Sequence, residues 1–204
     1  MEIIISKEHV GYPYALEFMD ERVAGIIDNT KKECLWLLEH PALYTYGTSA
    51  KQADLLENKF PVYEARRGGE FTYHGPGQRV AYLMMKLEPK DIRKYVWNLE
   101  EWIIQILAHF GVNGERREGR IGIWVIDGGQ EKKIAALGIR VRKWVAYHGI
   151  AINIAPDLEH FKGIVPCGIS QYGVTSLQNL GIEVNQAEFD EVLIREFNKI
   201  FNAP

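Results

Sequence analysis

Cysteine is nearly absent from this chain: in 204 residues there are two, Cys34 and Cys167. Two cannot make the disulfide framework of a small secreted domain. The six histidines supply no closely spaced Cys/His pairs of the kind a structural zinc site needs, so no metal is expected. A charge excess is missing too. The net charge of −3 does not suit a general nucleic-acid binder, although 24 Lys and Arg residues can still gather locally. The N-terminus, MEIIISKEHVGY, has a three-residue apolar run behind an acidic second residue. That fits neither a signal peptide nor a membrane anchor. No internal repeat, low-complexity tract or Pro/Gly/Ser linker divides the chain. The expectation is a cytoplasmic, reduced, soluble protein with one domain over residues 1–204, long enough for a substantial core.

Periodicity supplies the elements. Leu16, Met19, Val23, Ile26 and Ile27 fall at helical spacing, predicting a helix over 14–28. Residues 34–39, CLWLLE, read as a buried strand, and a polar loop is expected from His40-Pro41 to about Lys59. One apolar stripe runs from Ile92 through Tyr95, Leu99, Trp102 and Ile106 to Phe110, before Gly111 at a C-cap position. A further helix is expected from Asn185, with Glu188 as capping-box partner, to about Phe201. Between these helices, RIGIWVI (120–126), KKIAALGIRV (132–141) and WVAYHGIAINI (144–154) read as antiparallel strands, with Asp127-Gly128-Gly129 as a hairpin turn. The fold class is therefore α+β, a mixed and mainly antiparallel sheet packed against helices.

Three stretches carry candidate chemistry. ARRGGEFTYHGPGQ (65–78) holds four glycines and a proline, so it is a tight loop presenting Arg66, Arg67, Tyr73, His74 and Gln78. It matches neither the phosphate loop nor the dinucleotide fingerprint, and a purely structural turn is the alternative. In EKKIAALGIRV, strand alternation sends Lys132 and Lys133 to opposite faces. An inward lysine has its charged form disfavoured by desolvation and can act as a base; two surface lysines are the plainer reading. The third stretch is IVPCGIS (164–170). Free cysteine is often simply buried, and Cys34 in its apolar run fits that description. Cys167 sits in a Pro-Cys-Gly turn, where a side chain is presented and can serve as a nucleophile. His148 and Lys133 fall on neighbouring strands, so both can reach one pocket.

Together these segments resemble the lipoyl(octanoyl) transferases of the biotin/lipoate protein-ligase fold group. The resemblance rests on LEHPALYTYG (38–47), RRGGEFTYHGPGQRVAY (66–82), GRIGIWV (119–125), KKIAALGIRV (132–141), YHGIAIN (147–153) and IVPCGIS…VTSL (164–177), in the family's order. The first ~30 residues and the C-terminal helix are similar only loosely. The resemblance implies transfer of an octanoyl group from octanoyl-acyl carrier protein to a lysine of a lipoyl domain. The acceptors would be lipoyl domains of 2-oxoacid dehydrogenase subunits and the glycine cleavage H protein. Cys167 would be the nucleophile and Lys133 its acid–base partner, with no cofactor, ATP or metal. Arg67, Gly68, Gly69, Tyr73, His74, Gly75, Gly77 and Gln78 would wall the acyl site. Ala135, Ala136, Leu137, Gly138, Gly149 and Ile150 would border it, with His40 and His148 lining it. A thioester donor suits a thiol nucleophile, because thioester exchange is nearly balanced and aminolysis then runs downhill. An acidic enzyme meeting an acidic carrier protein needs a local basic patch, expected at Arg140, Arg142 and Lys143. The chain is expected to act as a monomer, without nucleic acid or membrane. The rivals are an ATP-dependent lipoate–protein ligase, a transferase between lipoyl domains, and an inert lipoyl-domain binder.

Overall fold

The computed structural model describes residues 1–165 and 172–201. Its main sheet runs β1 (Glu2–Ile5), β2 (Cys34–Leu38), β6 (Gln78–Lys86), β10 (Val145–Asn153), β9 (Gln130–Arg142), β8 (Arg120–Asp127) and β7 (Glu115–Arg117) in spatial order. A short β11 (Gly173–Val174) pairs with β9. The β1–β2 and β9–β11 pairs are parallel and the remaining pairs of this sheet antiparallel. A smaller sheet sets β3 (Leu43–Tyr46) between β4 (Val62–Glu64) and β5 (Thr72–His74). The expected mixed, mainly antiparallel α+β architecture is present. No helix among the described residues is long and apolar enough to cross a membrane.

Helix ends follow local chemistry. Pro13 stands in the first turn of α1 (Tyr12–Ile27), where a missing N–H costs nothing. The Asp91 carboxylate accepts from the Lys94 amide at the start of α2 (Ile92–His109), and Gly111 takes φ 75° just after its end. Asn185 Oδ1 accepts from the amides of Ala187 and Glu188 to open α3 (Gln186–Phe201). The β8–β9 hairpin turns on Gly128 and Gly129, both at positive φ, as a two-residue primed turn requires.

Alternation along the central strands builds three layers. Leu35 and Leu37 of β2, Ala81 and Leu83 of β6, and Ala146, Ile150 and Ile152 of β10 pack with α2 and α3. Their neighbours Cys34, Trp36, Leu38, Val80, Tyr82, Met84, Tyr147 and Ala151 pack with α1 on the other face. Cys34 is thus the core sulfur it was expected to be, and burial pushes its thiol up to about 11. The buried Arg79–Asp190 pair, Nε to Oδ1 at 2.8 Å, ties β6 to α3.

The expected tight loop over residues 65–78 is interrupted by β5 at Thr72–His74 and ends as β6 begins at Gln78, and the expected loop over residues 40–59 is interrupted as well. The latter contains β3 and a 3₁₀ turn at Gln52–Asp54. A four-residue strand paired with Thr72–His74 and Val62–Glu64 is held by distant partners, so local periodicity does not reveal it.

Candidate active site

Lys133 is the buried lysine around which the site is organised. Only 6% of it is exposed, whereas Lys132 points the other way into an ion pair with Asp127, Nζ to Oδ2 2.9 Å. Lys133 Nζ donates to the Ile121 carbonyl at 2.9 Å and lies 4.8 Å from the Trp124 ring centroid. Two irregularities make room for it. The β8–β9 register shifts by one residue: Trp124 faces Lys133, but Ile123 faces Ala135, leaving Ile134 over. Opposite, Gly122 has φ 118°, and a Cβ there would stand 3.1 Å from Lys133 Cε and 2.7 Å from the Ala135 carbonyl. β11 then runs beside Lys133, with Val174 as its partner and the Thr175 amide donating to its carbonyl. One carboxylate secures that segment: Asp127 Oδ2 accepts from Thr175 Oγ1 at 2.7 Å and Asn179 Nδ2 at 2.8 Å.

Lys133 borders a cavity of about 380 Å³, within the range of roughly 300–1,000 Å³ usual for small-molecule sites. β9 contributes Ala136, Leu137, Gly138 and Ile139, and β10 contributes His148, Gly149, Ile150 and Ala151. His148 reaches it by breaking its strand's alternation. It holds φ 63°, a left-handed conformation costing about 1–3 kcal/mol in a non-glycine residue. Ala146 and Ile150, of the same parity, face the α2/α3 core, whereas the His148 ring stacks on Tyr147 at 5.2 Å and meets Tyr82.

The polar wall is made of neutral imidazoles. Burial, aided by neighbouring Arg67 and Arg140, pushes His148 down to about 3. Burial, with His40 beside it, takes His74 down to about 3. Hydrogen bonds assign their tautomers. Gln78 Nε2 donates to the Tyr73 carbonyl and to Asn153 Oδ1, so its Oε1 accepts from His74 Nδ1 at 2.7 Å. His40 Nδ1 donates to the Val10 carbonyl, so its Nε2 accepts the Tyr82 hydroxyl at 2.7 Å. On the loop side, Arg67 Nη2 donates to Thr45 Oγ1 at 2.9 Å and Nη1 to the Gly68 and Glu70 carbonyls. The Gly68 amide bonds the Ile139 carbonyl, closing the loop over β9.

Of the nominated residues, Arg67, Gly68, Gly69, His74, Lys133, Ala136, Leu137, Gly138, His148, Gly149 and Ile150 border the cavity. Cys167 lies outside the described residues. Six others stand off the cavity. His40 is fully buried behind Tyr82 and burial lowers it to about 4, while Gln78 holds His74 from behind. Tyr73, one residue from His74 on β5, faces the other way and bonds His160 Nδ1 at 2.8 Å. Gly75 and Gly77 shape the β5–β6 turn, where Gly77 takes φ 83°. Ala135 packs in the α2/α3 core, because the one-residue shift turns it away while Ala136 faces the cavity.

Sequence reasoning missed Tyr12, Phe71, Val80, Tyr82, Arg120 and Ile121, which also border the cavity. Gly122 was legible in principle, since a lone glycine inside a strand pattern marks a bulge or close approach. Tyr12 was not, because α1 brings it in from a separate element. The basic residues lie near the His148 side. Arg140 is exposed over the Tyr147 ring at 6.0 Å, Arg142 pairs with Asp20 at 3.6 Å, and Lys143 sits in the β9–β10 turn.

The geometry can be set against known proteins. Residues 11–198 match the model of the lipoyl protein ligase A/B catalytic domain. An octanoyltransferase of Rhodospirillum rubrum is 57% identical over 205 residues, covering 98% of this chain and 95% of that protein. One from Paramagnetospirillum magneticum is 56% identical over 203 residues, covering 98% and 96%. Among solved structures, lipoate-protein ligase A bound with ATP superposes with TM-score 0.77 at 17% identity, over 99% of this chain and 86% of that one. That likeness concerns the fold alone. By the match over nearly its whole length and its identity to these relatives, the chain belongs to the lipoyl protein ligase A/B catalytic domain family.

Proposed function

We propose that this enzyme moves an octanoyl group from octanoyl-acyl carrier protein to a lysine of a lipoyl domain, by way of a thioester on Cys167. The observation that carries the reading is Lys133, buried at a largely apolar cavity beside the strand that follows Cys167 in the chain by six residues. The naming of close relatives as octanoyltransferases supports the acyl group. In the first half, Lys133 takes the Cys167 proton as sulfur adds to the thioester carbonyl. The carrier's thiolate leaves with that proton. In the second, the acceptor amine adds, gives a proton to Lys133, and the Cys167 thiolate departs as the amide forms. The neutral His74 and His148 keep charge away from the alkyl chain.

Intact-protein mass after brief mixing with octanoyl-acyl carrier protein tests this directly. Wild type should gain one octanoyl group, Cys167→Ser none, and a lipoyl domain should discharge the adduct. Product formed without an adduct would mean direct transfer in a ternary complex, and release of AMP during acylation would favour ligase chemistry instead. Docking is assigned to Arg140, Arg142 and Lys143. Reversing all three charges should raise KM for the carrier-protein donor about tenfold or more and flatten its salt dependence, leaving kcat within twofold. An unchanged KM would remove that surface from the reading.

A further inference from the structure

We propose that Arg120 hydrogen-bonds the carbonyl oxygen of the acyl group during its transfer, an assignment that rests on the acyl-transfer reading above. Arg120 opens β8 and borders the cavity. Its guanidinium carbon lies 4.2 Å from the Tyr172 ring centroid and 4.7 Å from that of Trp124, and those two rings meet edge-on. Nη2 donates to Glu131 Oε2 at 2.7 Å. Two aromatic rings and one carboxylate therefore hold the planar group in place. Nη1 is shut off from solvent and, among the described residues, has no hydrogen-bond partner.

A buried donor without a partner on a permanent cation is costly. Arg22 and Arg79 also carry one, but Arg120, unlike them, borders the cavity, where a ligand can bring the acceptor. The neighbourhood says which acceptor. Lys133 Nζ lies over the same Trp124 ring and donates to the carbonyl of Ile121, the residue next to Arg120. Trp124 Nε1 in turn donates to the Arg120 carbonyl at 3.1 Å. The orphan N–H thus belongs to the cluster that holds the acid–base lysine. The thioester joined to the octanoyl chain offers one oxygen, its carbonyl, and that oxygen gains negative charge as sulfur or nitrogen adds.

A fixed, always-protonated donor suits that moment. The carbonyl π pair shifts onto oxygen while the new C–S or C–N bond forms. Nη1–H shortens its contact without giving up its proton. The pair then returns as the old C–S bond breaks. Main-chain donors can share this oxygen, but the guanidinium adds charge that they lack.

The test follows single-turnover acylation by intact mass, with octanoyl-acyl carrier protein and full-length wild type, Arg120→Gln and Arg120→Lys. Acylation by Arg120→Gln should be about 10²–10³-fold slower, with half-saturating donor concentration within threefold of wild type. Arg120→Lys, which keeps charge but not the fork, should recover only part of the rate. The carbonyl stretch of wild-type enzyme loaded with [1-¹³C]octanoyl should lie below that of the free thioester in water. A wild-type stretch equal to that of the free thioester overturns the assignment whether or not the variants fold. Both variants acylating within threefold of wild type also overturns it, while leaving the Cys167 route intact. A wild type that never gains octanoyl overturns both.

Discussion

Lys133→Met should form the octanoyl adduct about 10²–10⁴-fold more slowly than wild type, the span usual for loss of a positioned acid–base group. Methionine fills a similar stem beside Trp124, so the site should stay packed. The Ile121 carbonyl, which accepts from Lys133, loses its donor. That bond is only part-buried, so its loss costs about 0.5–1.5 kcal/mol and lowers Tm by a few degrees without unfolding the protein. Lys133→Arg separates charge from proton transfer. Arginine keeps a cation but does not release its proton near neutral pH, so it should be nearly as slow as methionine. On the proposed route, both halves of the reaction use the same amine. Discharge of a chemically preloaded octanoyl enzyme to a lipoyl domain should therefore slow alongside adduct formation. Rapid-quench mass measurements on both steps check this. Lys133→Met reacting within threefold of wild type would end the lysine's role.

The second large effect concerns acid. His40, His74 and His148 are held neutral in the fold, at about 4, about 3 and about 3. In the unfolded chain they return to near 6.5. Below that pH the unfolded state binds protons that the native state refuses, and stability falls with pH. Their contribution is complete above about 6.5 and is lost progressively down to about 3–4. At pH 5 each group accounts for about 2 kcal/mol, so the three together cost on the order of 6 kcal/mol. Against a typical total of roughly 5–15 kcal/mol, that is enough to unfold much of the population. Carboxylates with lowered values, such as Asp127 with its Lys132 and Thr175 bonds, act at lower pH. Between 6.5 and 5 the histidines dominate. Urea midpoints measured from pH 7.5 to 4.5 should decline steeply over that window, and His40→Gln should flatten the slope by about one proton. A midpoint independent of pH would contradict neutral, buried imidazoles.

How far the sequence could be read depended on where regular periodicity holds. Lys132 and Lys133 parted to opposite faces because β9 is an ordinary strand up to that point. Ala135 and Ala136 could not be sorted, since one extra residue at Ile134 reverses the alternation. His148 reaches the cavity through a left-handed backbone that no pattern of residue types announces. Tyr73, Gly75, Gly77, Gln78 and His40 were nominated because the motif mixes the wall with its supports. Gln78 bonds His74, and His40 bonds Tyr82, one layer behind the surface. The short β3 and the arrival of Tyr12 depend on partners far along the chain. Arg120 was passed over because its proposed role rests on one nitrogen without a partner among the described residues, visible only once its neighbours are in place.

The alternation of β6 and β10 has a bearing on how new acyl-chain preferences could arise. Val80, Tyr82 and Ala151 border the cavity, while their neighbours Ala81, Leu83 and Ile152 belong to the α2/α3 core. On the proposed acyl-site reading, selection on substrate size works on positions that pack with α1 and leaves the interleaved α2/α3 set in place. A library randomised at Val80, Tyr82 and Ala151 explores shorter or longer fatty chains while every residue of the larger core stays as it is. Val80, Tyr82 and Ala151 also pack with α1, so a change of chain preference draws on that smaller core while the α2/α3 core keeps its packing.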